Sequence, residues 1–233
     1  MRLDDPNVEL LARMAGALGD VCDQLVFVGG CATALLLSDP AAAGVRVTSD
    51  VDAVVSLASL PDYQRLGDSL RAKGFTQTME DGDPPYRWRI AGMALDVMPV
   101  DERVLGFSNR WYEATLQSAR QVQLSATLAI RLVSPVCFLA TKLEAFMDRG
   151  QGDYMMSHDL EDVLTVVDGR AEIVGELAAA DAPLMTYVAG VIRGLLADEG
   201  FVNALPGMIM DGGLATRLPV VLDRLGRMAS LEE

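Results

Sequence analysis

The chain has 233 residues, 51% of them hydrophobic and 22% charged, and this composition excludes intrinsically disordered and collagen-like proteins. Its 33 acidic and 19 basic side chains give a formal net charge of -14, which opposes non-specific binding to nucleic acids and anionic membranes. Charged residues interrupt every apolar stretch before it reaches the roughly 18 residues that a membrane helix requires, so no membrane span is predicted.

The start of the sequence and its cysteines predict the cellular compartment. Residues 1–6 contain two acids and a proline, whereas a secretory signal has a basic start followed by an apolar run. Cys22, Cys31 and Cys137 are widely spaced and form no CxxC pair, so neither a disulfide framework nor a zinc site is indicated. We therefore expect a cytoplasmic protein in a reducing compartment.

The first half of the chain combines helical and strand patterns. Asp5 and Pro6 are typical of a helix start, and apolar residues follow them at helical spacing. A continuous apolar run at 25–28 predicts a buried strand that ends in a tight turn at Gly29 and Gly30. In chain order, the further predictions are a helix at 31–37, a loop at 40–44, a strand within 45–56, a helix at 61–73, and strands at 75–79, 86–90, 93–98, 120–124 and 128–132.

The composition changes near Ser134 and Pro135, where a capping serine and a proline open a helix. The remaining chain is rich in alanine, leucine and methionine at helical spacing. We therefore predict an α/β (α+β) fold, with a mixed sheet flanked by helices in residues 1–133 and a mainly helical region in residues 134–233. The predicted helices of that region are 135–148, 158–168, 171–180, 184–198 and 214–228.

Three aspartates on the predicted strands are the strongest chemical signal. Asp50 and Asp52 are two residues apart on one strand, so their side chains project to the same face. Asp96 lies on a later strand between two apolar residues and can complete a cluster. Because aspartate is disfavoured inside strands, residues at these positions require a compensating partner.

A divalent cation is the partner that this chemistry favours. Three close carboxylates repel one another unless cations neutralise them, and Mg²⁺ or Mn²⁺ suits such oxygen ligands. Metal ions at the cluster would activate an attacking hydroxyl and stabilise a leaving pyrophosphate. Gly29 and Gly30 lack side chains, so backbone N–H groups and the following helix start can approach phosphates. These residues predict a site for metal and a nucleoside triphosphate.

Successive segments of the chain resemble the nucleotidyltransferase superfamily and, within it, the AbiEii-like toxin nucleotidyltransferases of bacterial defence and toxin–antitoxin systems. The segments are VGGCATALL, TSDVDAVV, LDVMPVD, KLEAFMDRG and SHDLEDVL. They lie between Val26 and about Asp168. The resemblance implies a nucleotidyltransferase-type mixed sheet flanked by helices.

The resemblance also implies roles for residues of the aspartate cluster. Asp50 and Asp52 would bind metal, and Asp96 would be the third carboxylate, metal ligand and base for the acceptor hydroxyl. Gly29 and Gly30 would contact the triphosphate.

Further along the chain, the resemblance places Lys142 where the family has a lysine that reaches the phosphates. Asp159 and Asp162 would lie near the nucleotide or the acceptor. Two positions depart from the family pattern: His158 replaces an arginine, and Cys31 replaces a serine or threonine. An ordinary charged helix face explains Lys142 equally well.

The sequence leaves three functions open. The leading one is transfer of a nucleoside monophosphate from a triphosphate to a hydroxyl of RNA, protein or a small molecule, within a toxin–antitoxin or defence system that has a cognate protein partner. Residues 85–131 carry six arginines and four acids, which keeps RNA among the acceptors.

The second function is that of a non-catalytic nucleotide- or partner-binding module of the same fold. The third is a haloacid-dehalogenase-type phosphohydrolase, because Asp50 and Asp52 fit its nucleophile motif, although that motif normally follows the first strand.

Overall fold

The structure, a computed structural model, describes residues 3–77, 83–149, 153–209 and 214–231. It contains two compact units. The first, called the sheet unit, comprises the described residues of 3–35 and 47–134. The second, called the helical unit, comprises those of 36–46 and 135–231. The short segment 36–46 therefore belongs with helices that come much later in the chain.

The sheet unit is built on a mixed β-sheet. Within the described residues its strands are β1 (Leu25–Val28), β2 (Asp50–Val55), β3 (Arg87–Ile90), β4 (Met93–Pro99), β5 (Arg120–Ser125) and β6 (Leu128–Leu132). They are arranged in the order β3-β4-β2-β1-β6-β5. Strand β2 is parallel to β4, β1 is parallel to β6, and the remaining neighbours are antiparallel. The central strand β1 is buried at every position, as its uninterrupted apolar run predicts.

Helices flank this sheet. They are α1 (Pro6–Leu18), α2 (Thr33–Leu36), α3 (Leu60–Ala72), α4 (Glu102–Leu105) and α5 (Tyr112–Ser118), with 3₁₀ turns at Gly19–Gln24 and Gly30–Ala32. The Asp5 carboxylate accepts a 2.9 Å hydrogen bond from the Asn7 amide and caps α1, as the sequence predicts.

The helical unit packs α6 (Pro135–Arg149) against α7 (His158–Gly169). The later helices are α8 (Ile173–Ala178), α9 (Ala182–Ala197), α10 (Glu199–Met208) and α11 (Leu214–Ala229). Helix α11 packs against α7, α8 and α9. Ser38 and Asp39 each donate a backbone hydrogen bond of 2.9 Å to the Gly169 carbonyl, which attaches the segment 36–46 to the end of α7.

The mixed α/β architecture with helices in its C-terminal part is confirmed. Strands predicted at 120–124 and 128–132 are also confirmed, as β5 and β6. None of the helices within the described residues combines the length and apolar character that a bilayer-spanning segment needs.

Three predicted elements are corrected. The strand within 45–56 begins only at Asp50, because the Thr48 amide donates to the Asn7 side chain instead of to a neighbouring strand. The strand predicted at 75–79 is reduced to an isolated bridge between Thr76 and Arg89, with residues 78–79 outside the described part of the chain. The helix predicted at 31–37 is a 3₁₀ turn followed by the short α2.

Helices α4, α5 and α10 were not predicted from the sequence. Helix α10 contains Pro206, which normally argues against a helix interior. Its start is nevertheless capped, because the Asp198 carboxylate accepts hydrogen bonds from the Gly200 and Phe201 amides. The cap was the signal that the sequence offered for this helix.

Tyr63 connects α3 to the sheet through a buried phenol. Its hydroxyl donates a 3.1 Å hydrogen bond to the Val97 carbonyl on β4. Burial disfavours the phenolate and raises the pKa of Tyr63 to about 12. The unfolded chain, in which tyrosine ionises near pH 10, therefore loses this proton first as the pH rises.

Tyr63→Phe should make the protein less sensitive to alkali. In the wild type, the stability that the neutral phenol contributes is present below pH 10 and is lost between pH 10 and about 12, on the order of 2 kcal/mol. The variant lacks the hydrogen bond, which costs about 1 kcal/mol of stability at pH 8. It has no phenol to ionise, so it does not lose stability by this route above pH 10. Urea unfolding at pH 8 to 11.5 measures both effects. Parallel stability curves for the two proteins above pH 10 would contradict this assignment.

Candidate functional site

Strand β2 presents Asp50 and Asp52 on one face of the sheet. Burial alternates along its first half, since both aspartates are half-buried whereas Val51 and Ala53 are fully buried. An alternation of two residues places the two carboxylates on the same side of the strand. This arrangement agrees with the strand predicted around the aspartate pair.

Asp96 lies on strand β4 directly beside Asp52. The strands are parallel, and their register pairs Asp50 with Ala94 and Asp52 with Asp96. Paired residues on neighbouring strands, which are about 4.8 Å apart, project to the same face of a sheet. Asp96 is only 5% exposed. The fold thus brings the three predicted carboxylates to one face of the sheet.

Arg87, on the edge strand β3, binds two of these carboxylates. Its Nε and Nη2 atoms donate hydrogen bonds of 2.7 Å each to the Oδ1 and Oδ2 atoms of Asp96. Its Nη2 atom also lies 3.2 Å from Asp50 Oδ2. The hydrogen bonds to Asp96 are the main reason that the pKa of Arg87 is raised above its usual value. A guanidinium therefore supplies positive charge at the cluster.

A second hydrogen bond holds the other oxygen of the Asp50 carboxylate, Oδ1. Thr48 Oγ1 donates a 2.7 Å hydrogen bond to Asp50 Oδ1. The Thr48 amide in turn donates a 2.9 Å hydrogen bond to the side chain of Asn7, which is buried in the first turn of α1. Helix α1 thus fixes the backbone that precedes β2, and through it the Asp50 side chain.

Gly29 makes room for Asp52. It has a φ of 71°, and a Cβ atom at this position would lie 1.9 Å from Asp52 Oδ2. A residue with a side chain would therefore collide with the carboxylate as well as adopt a strained backbone. The structure gives Gly29 a role toward Asp52, while contact of Gly29 and Gly30 with a triphosphate stays a prediction.

Arg87, Thr48 and Asn7 belong to the site although the sequence pattern does not predict them there. In the sequence, Arg87 is one of six arginines of residues 85–131. The antiparallel register that sets Arg87 opposite Asp96 was the missing information, and it depends on the exact β3–β4 turn. The alternation of Arg87, Trp88 and Arg89 on a strand was the available signal, because it puts the two arginines on one face.

Lys142, Asp159 and Asp162 come together in the helical unit. Lys142 Nζ, on α6, lies 2.7 Å from Asp162 Oδ2 and 3.1 Å from Asp159 Oδ1, both on α7. Asp159 also receives a forked pair of hydrogen bonds from Arg149, with Nε and Nη2 each within 3.1 Å. Both aspartates are buried, so these cations compensate carboxylates that burial would otherwise destabilise.

Two neighbouring residues complete this charged cluster. Arg46 Nη2 lies 3.6 Å from Asp162 Oδ2, and Arg46 Nε lies 3.4 Å from Glu161 Oε2. His158 is largely exposed and lies 3.2 Å from the same Glu161 oxygen through its Nδ1 atom. Ion pairing between α6 and α7 therefore accounts for the positions of these side chains, and a role of Lys142, Asp159 and Asp162 toward nucleotide stays a prediction.

The carboxylates of the sheet unit are chemically suited to a hard divalent cation. All three donors are aspartates on neighbouring strands, and the absent Gly29 side chain leaves room for the Asp52 carboxylate. Across the described ranges, however, no group of three or more histidine, cysteine, aspartate or glutamate side chains is arranged to hold a metal ion. The guanidinium of Arg87 engages Asp96 and Asp50 instead. In donor chemistry the three carboxylates suit Mg²⁺ or Mn²⁺, and in this structure Arg87 occupies both oxygens of Asp96 and one of Asp50.

Comparisons with known proteins give a distant similarity of fold. No protein-family model matches the sequence, and no curated protein matches it. Among solved structures, the chain is similar to the antibiotic-resistance factor ANT(2'')-Ia, with 15% sequence identity, a TM-score of 0.46, and coverage of 81% of this chain and 92% of that chain. This similarity assigns neither an activity nor site residues to the present chain. The AbiEii-like family is not confirmed.

Gly29→Ala should destabilise the protein more than Gly92→Ala. Both glycines have a positive φ, 71° and 79°, so both substitutions carry a backbone cost of about 1 kcal/mol. Only at Gly29 does the new Cβ collide with a neighbour, because nothing lies within 4 Å at Gly92. We expect a further loss of about 1–3 kcal/mol for Gly29→Ala. Urea unfolding of the two variants measures the difference, and equal losses would refute the close approach of Asp52.

Lys142→Met should cost about 3–5 kcal/mol, because it leaves two buried carboxylates with less positive charge. Arg149→Met is the matched control: its side chain is 69% exposed, against 13% for Lys142, and its loss should cost less than about 1 kcal/mol. Adding Asp162→Asn to Lys142→Met should recover part of the stability. Chemical unfolding of the three variants measures their free energies of unfolding. A larger loss for Arg149→Met than for Lys142→Met would contradict the prediction.

Proposed function

We propose that the protein is a metal-dependent nucleotidyltransferase that moves a nucleoside monophosphate from a nucleoside triphosphate to a hydroxyl group of an acceptor. The observation that supports the proposal is the register of β2 and β4, which sets Asp52 beside Asp96 on the same face as Asp50. Three carboxylates on adjacent strands form a donor set for hard divalent cations. In-line transfer at a nucleotide phosphorus requires such cations near the attacking and leaving oxygens.

In this proposal the three aspartates share the binding of metal, and one of them also takes a proton. Asp50, Asp52 and Asp96 would hold Mg²⁺ or Mn²⁺, which when bound would supply positive charge to the triphosphate oxygens. Asp96 accepts the proton of the acceptor hydroxyl. The acceptor oxygen forms a bond to the α-phosphorus, the bond from that phosphorus to the bridging oxygen breaks, and pyrophosphate leaves with the electron pair. Asp96 can accept a proton only after its two oxygens are released from Arg87.

The acceptor is proposed at the level of its reacting group. A hydroxyl of RNA, of a protein or of a small molecule suits the same step. The net charge of -14 disfavours an extended polyanion as acceptor, and in residues 85–131 Arg87, Arg89 and Arg103 already bind aspartates. A role in a toxin–antitoxin or defence system, with a cognate protein partner, belongs to this proposal.

A non-catalytic binding module is the second candidate. It is favoured by one observation: Arg87 already satisfies both oxygens of Asp96. In such a protein the cluster would be a permanent structural ion pair. Binding of nucleotide without release of pyrophosphate, in the presence of every acceptor class, would support this second candidate over the transferase.

Calorimetric titration with each of the four ribonucleoside triphosphates, with and without Mg²⁺, tests the proposal. We expect metal-dependent binding of at least one triphosphate. Asp50→Asn/Asp52→Asn should weaken it by roughly 100-fold or more, since even residues that only support a metal ligand contribute about 10–100-fold. Release of pyrophosphate on addition of an acceptor then identifies the transferase.

The matched control is Asp20→Asn/Asp68→Asn. These two side chains are 86% and 76% exposed and lie in the same unit, so the control makes the same change in net charge away from the cluster. It should bind triphosphate as the wild type does. Absence of binding by the wild type to any triphosphate, with or without Mg²⁺, would rule out the proposed activity.

A further inference from the structure

The Arg87 guanidinium is placed by the sheet itself. The antiparallel register of β3 and β4 sets Arg87 opposite Asp96 and Arg89 opposite Ala94. Trp88, between the two arginines, is buried at 2% exposure and fixes which face of β3 carries them. Arg89 binds Asp83 with hydrogen bonds near 3 Å, whereas Arg87 binds Asp96 and lies 4.0 Å from Asp83 Oδ1 through its Nη1 atom.

The guanidinium and a metal ion would require the same oxygen atoms. Arg87 binds Asp96 through both oxygens at 2.7 Å and reaches Asp50 Oδ2 at 3.2 Å. Forked, charge-assisted hydrogen bonds of this kind are among the strongest that a carboxylate makes with a side chain. A cation that enters the cluster must therefore displace the guanidinium from at least Asp96.

We propose that Arg87 is a built-in competitor of the divalent cation for Asp96 and Asp50, and that it transfers to the phosphates when a nucleoside triphosphate binds. The inference rests on the proposed function and deepens it. A metal ion alone must break the fork and leave the guanidinium with only the more distant Asp83 carboxylate, whose Oδ1 atom lies 4.0 Å from Arg87 Nη1, so it binds weakly. A metal ion that arrives with a triphosphate brings phosphate oxygens, which a guanidinium binds in the same forked manner.

This exchange makes metal and nucleotide binding cooperative through one side chain. Each ligand favours the state in which Arg87 has left Asp96, so each strengthens the binding of the other by the same factor. Arg87 would thereby act as a specificity-determining residue, since it discriminates against metal ions without a triphosphate. It touches the phosphates in the loaded state and the carboxylates in the unloaded state.

The experiment measures Mn²⁺ binding without nucleotide, by calorimetry and by electron paramagnetic resonance of free Mn²⁺. Arg87→Met should bind Mn²⁺ roughly tenfold or more tightly than the wild type, because the competing hydrogen bonds are gone. Arg89→Met, on the same strand and the same face, is the matched control and should bind as the wild type does.

Arg87→Lys keeps the test valid if loss of the charge beside buried Asp96 impairs folding. Lysine retains the positive charge but, as a compact ammonium, lacks the planar fork that matches both carboxylate oxygens. Its Mn²⁺ affinity should lie between those of the wild type and Arg87→Met. Circular dichroism and thermal melting of each variant establish that it is folded, and Mn²⁺ should raise the melting temperature of Arg87→Met more than that of the wild type.

A second titration uses each ribonucleoside triphosphate in the presence of saturating Mn²⁺. Arg87→Met should bind the triphosphate roughly tenfold more weakly than the wild type, opposite to its effect on Mn²⁺ alone. Mn²⁺ affinities that are equal in the wild type, Arg87→Met and Arg87→Lys would overturn the inference. The proposed function would survive that result if triphosphate binding still required Asp50 and Asp52, whereas failure of every protein to bind triphosphate would overturn both.

Discussion

The parallel pairing of β2 with β4 is the constraint on which the candidate site depends. It sets Asp52 beside Asp96 and, through the alternation of β2, Asp50 on the same face. Carboxylates that a sheet places on one face beside one another repel, and a nearby cation relieves that repulsion. In the structure that cation is the Arg87 guanidinium. The lack of a side chain at Gly29 leaves room for Asp52, and hydrogen bonds from Thr48 to Asn7 and to Asp50 connect α1 to the same cluster.

The two units compensate buried acidic groups in different ways. In the helical unit, Lys142 and Arg149 neutralise Asp159 across the packed pair α6 and α7, and every member of the cluster lies on or next to that pair. In the sheet unit, the compensating arginine comes from β3, at one end of the strand order, and binds Asp96 on the neighbouring strand β4. Compensation thus runs between two packed helices in one unit and between two paired strands in the other.

Much of the fold and the cluster could be predicted from local signals. Uninterrupted apolar residues identified β1, the Asp5–Pro6 start identified α1, and the two-residue spacing put Asp50 and Asp52 on one face. The contribution of Arg87 could not be predicted, because it depends on the register between two strands rather than on the pattern within one.

Tertiary contacts also overrode local patterns elsewhere. Residues 45–49 have the β-branched composition of a strand, yet Thr48 gives its amide to Asn7 on a distant helix. There a distant contact decides the conformation, as expected where propensities are weak. Helix α10 also forms despite Pro206, although its Asp198 cap is a local signal.

The membership of residues 36–46 in the helical unit has a consequence for the order of folding during synthesis. Ser38 and Asp39 find their backbone acceptor at Gly169, about 130 residues later in the chain. At the usual rate of about 5–20 residues per second, the ribosome needs on the order of 10 s to produce that partner. Throughout this interval the nascent chain holds a segment whose native neighbours do not yet exist, and it emerges between two parts of the sheet unit.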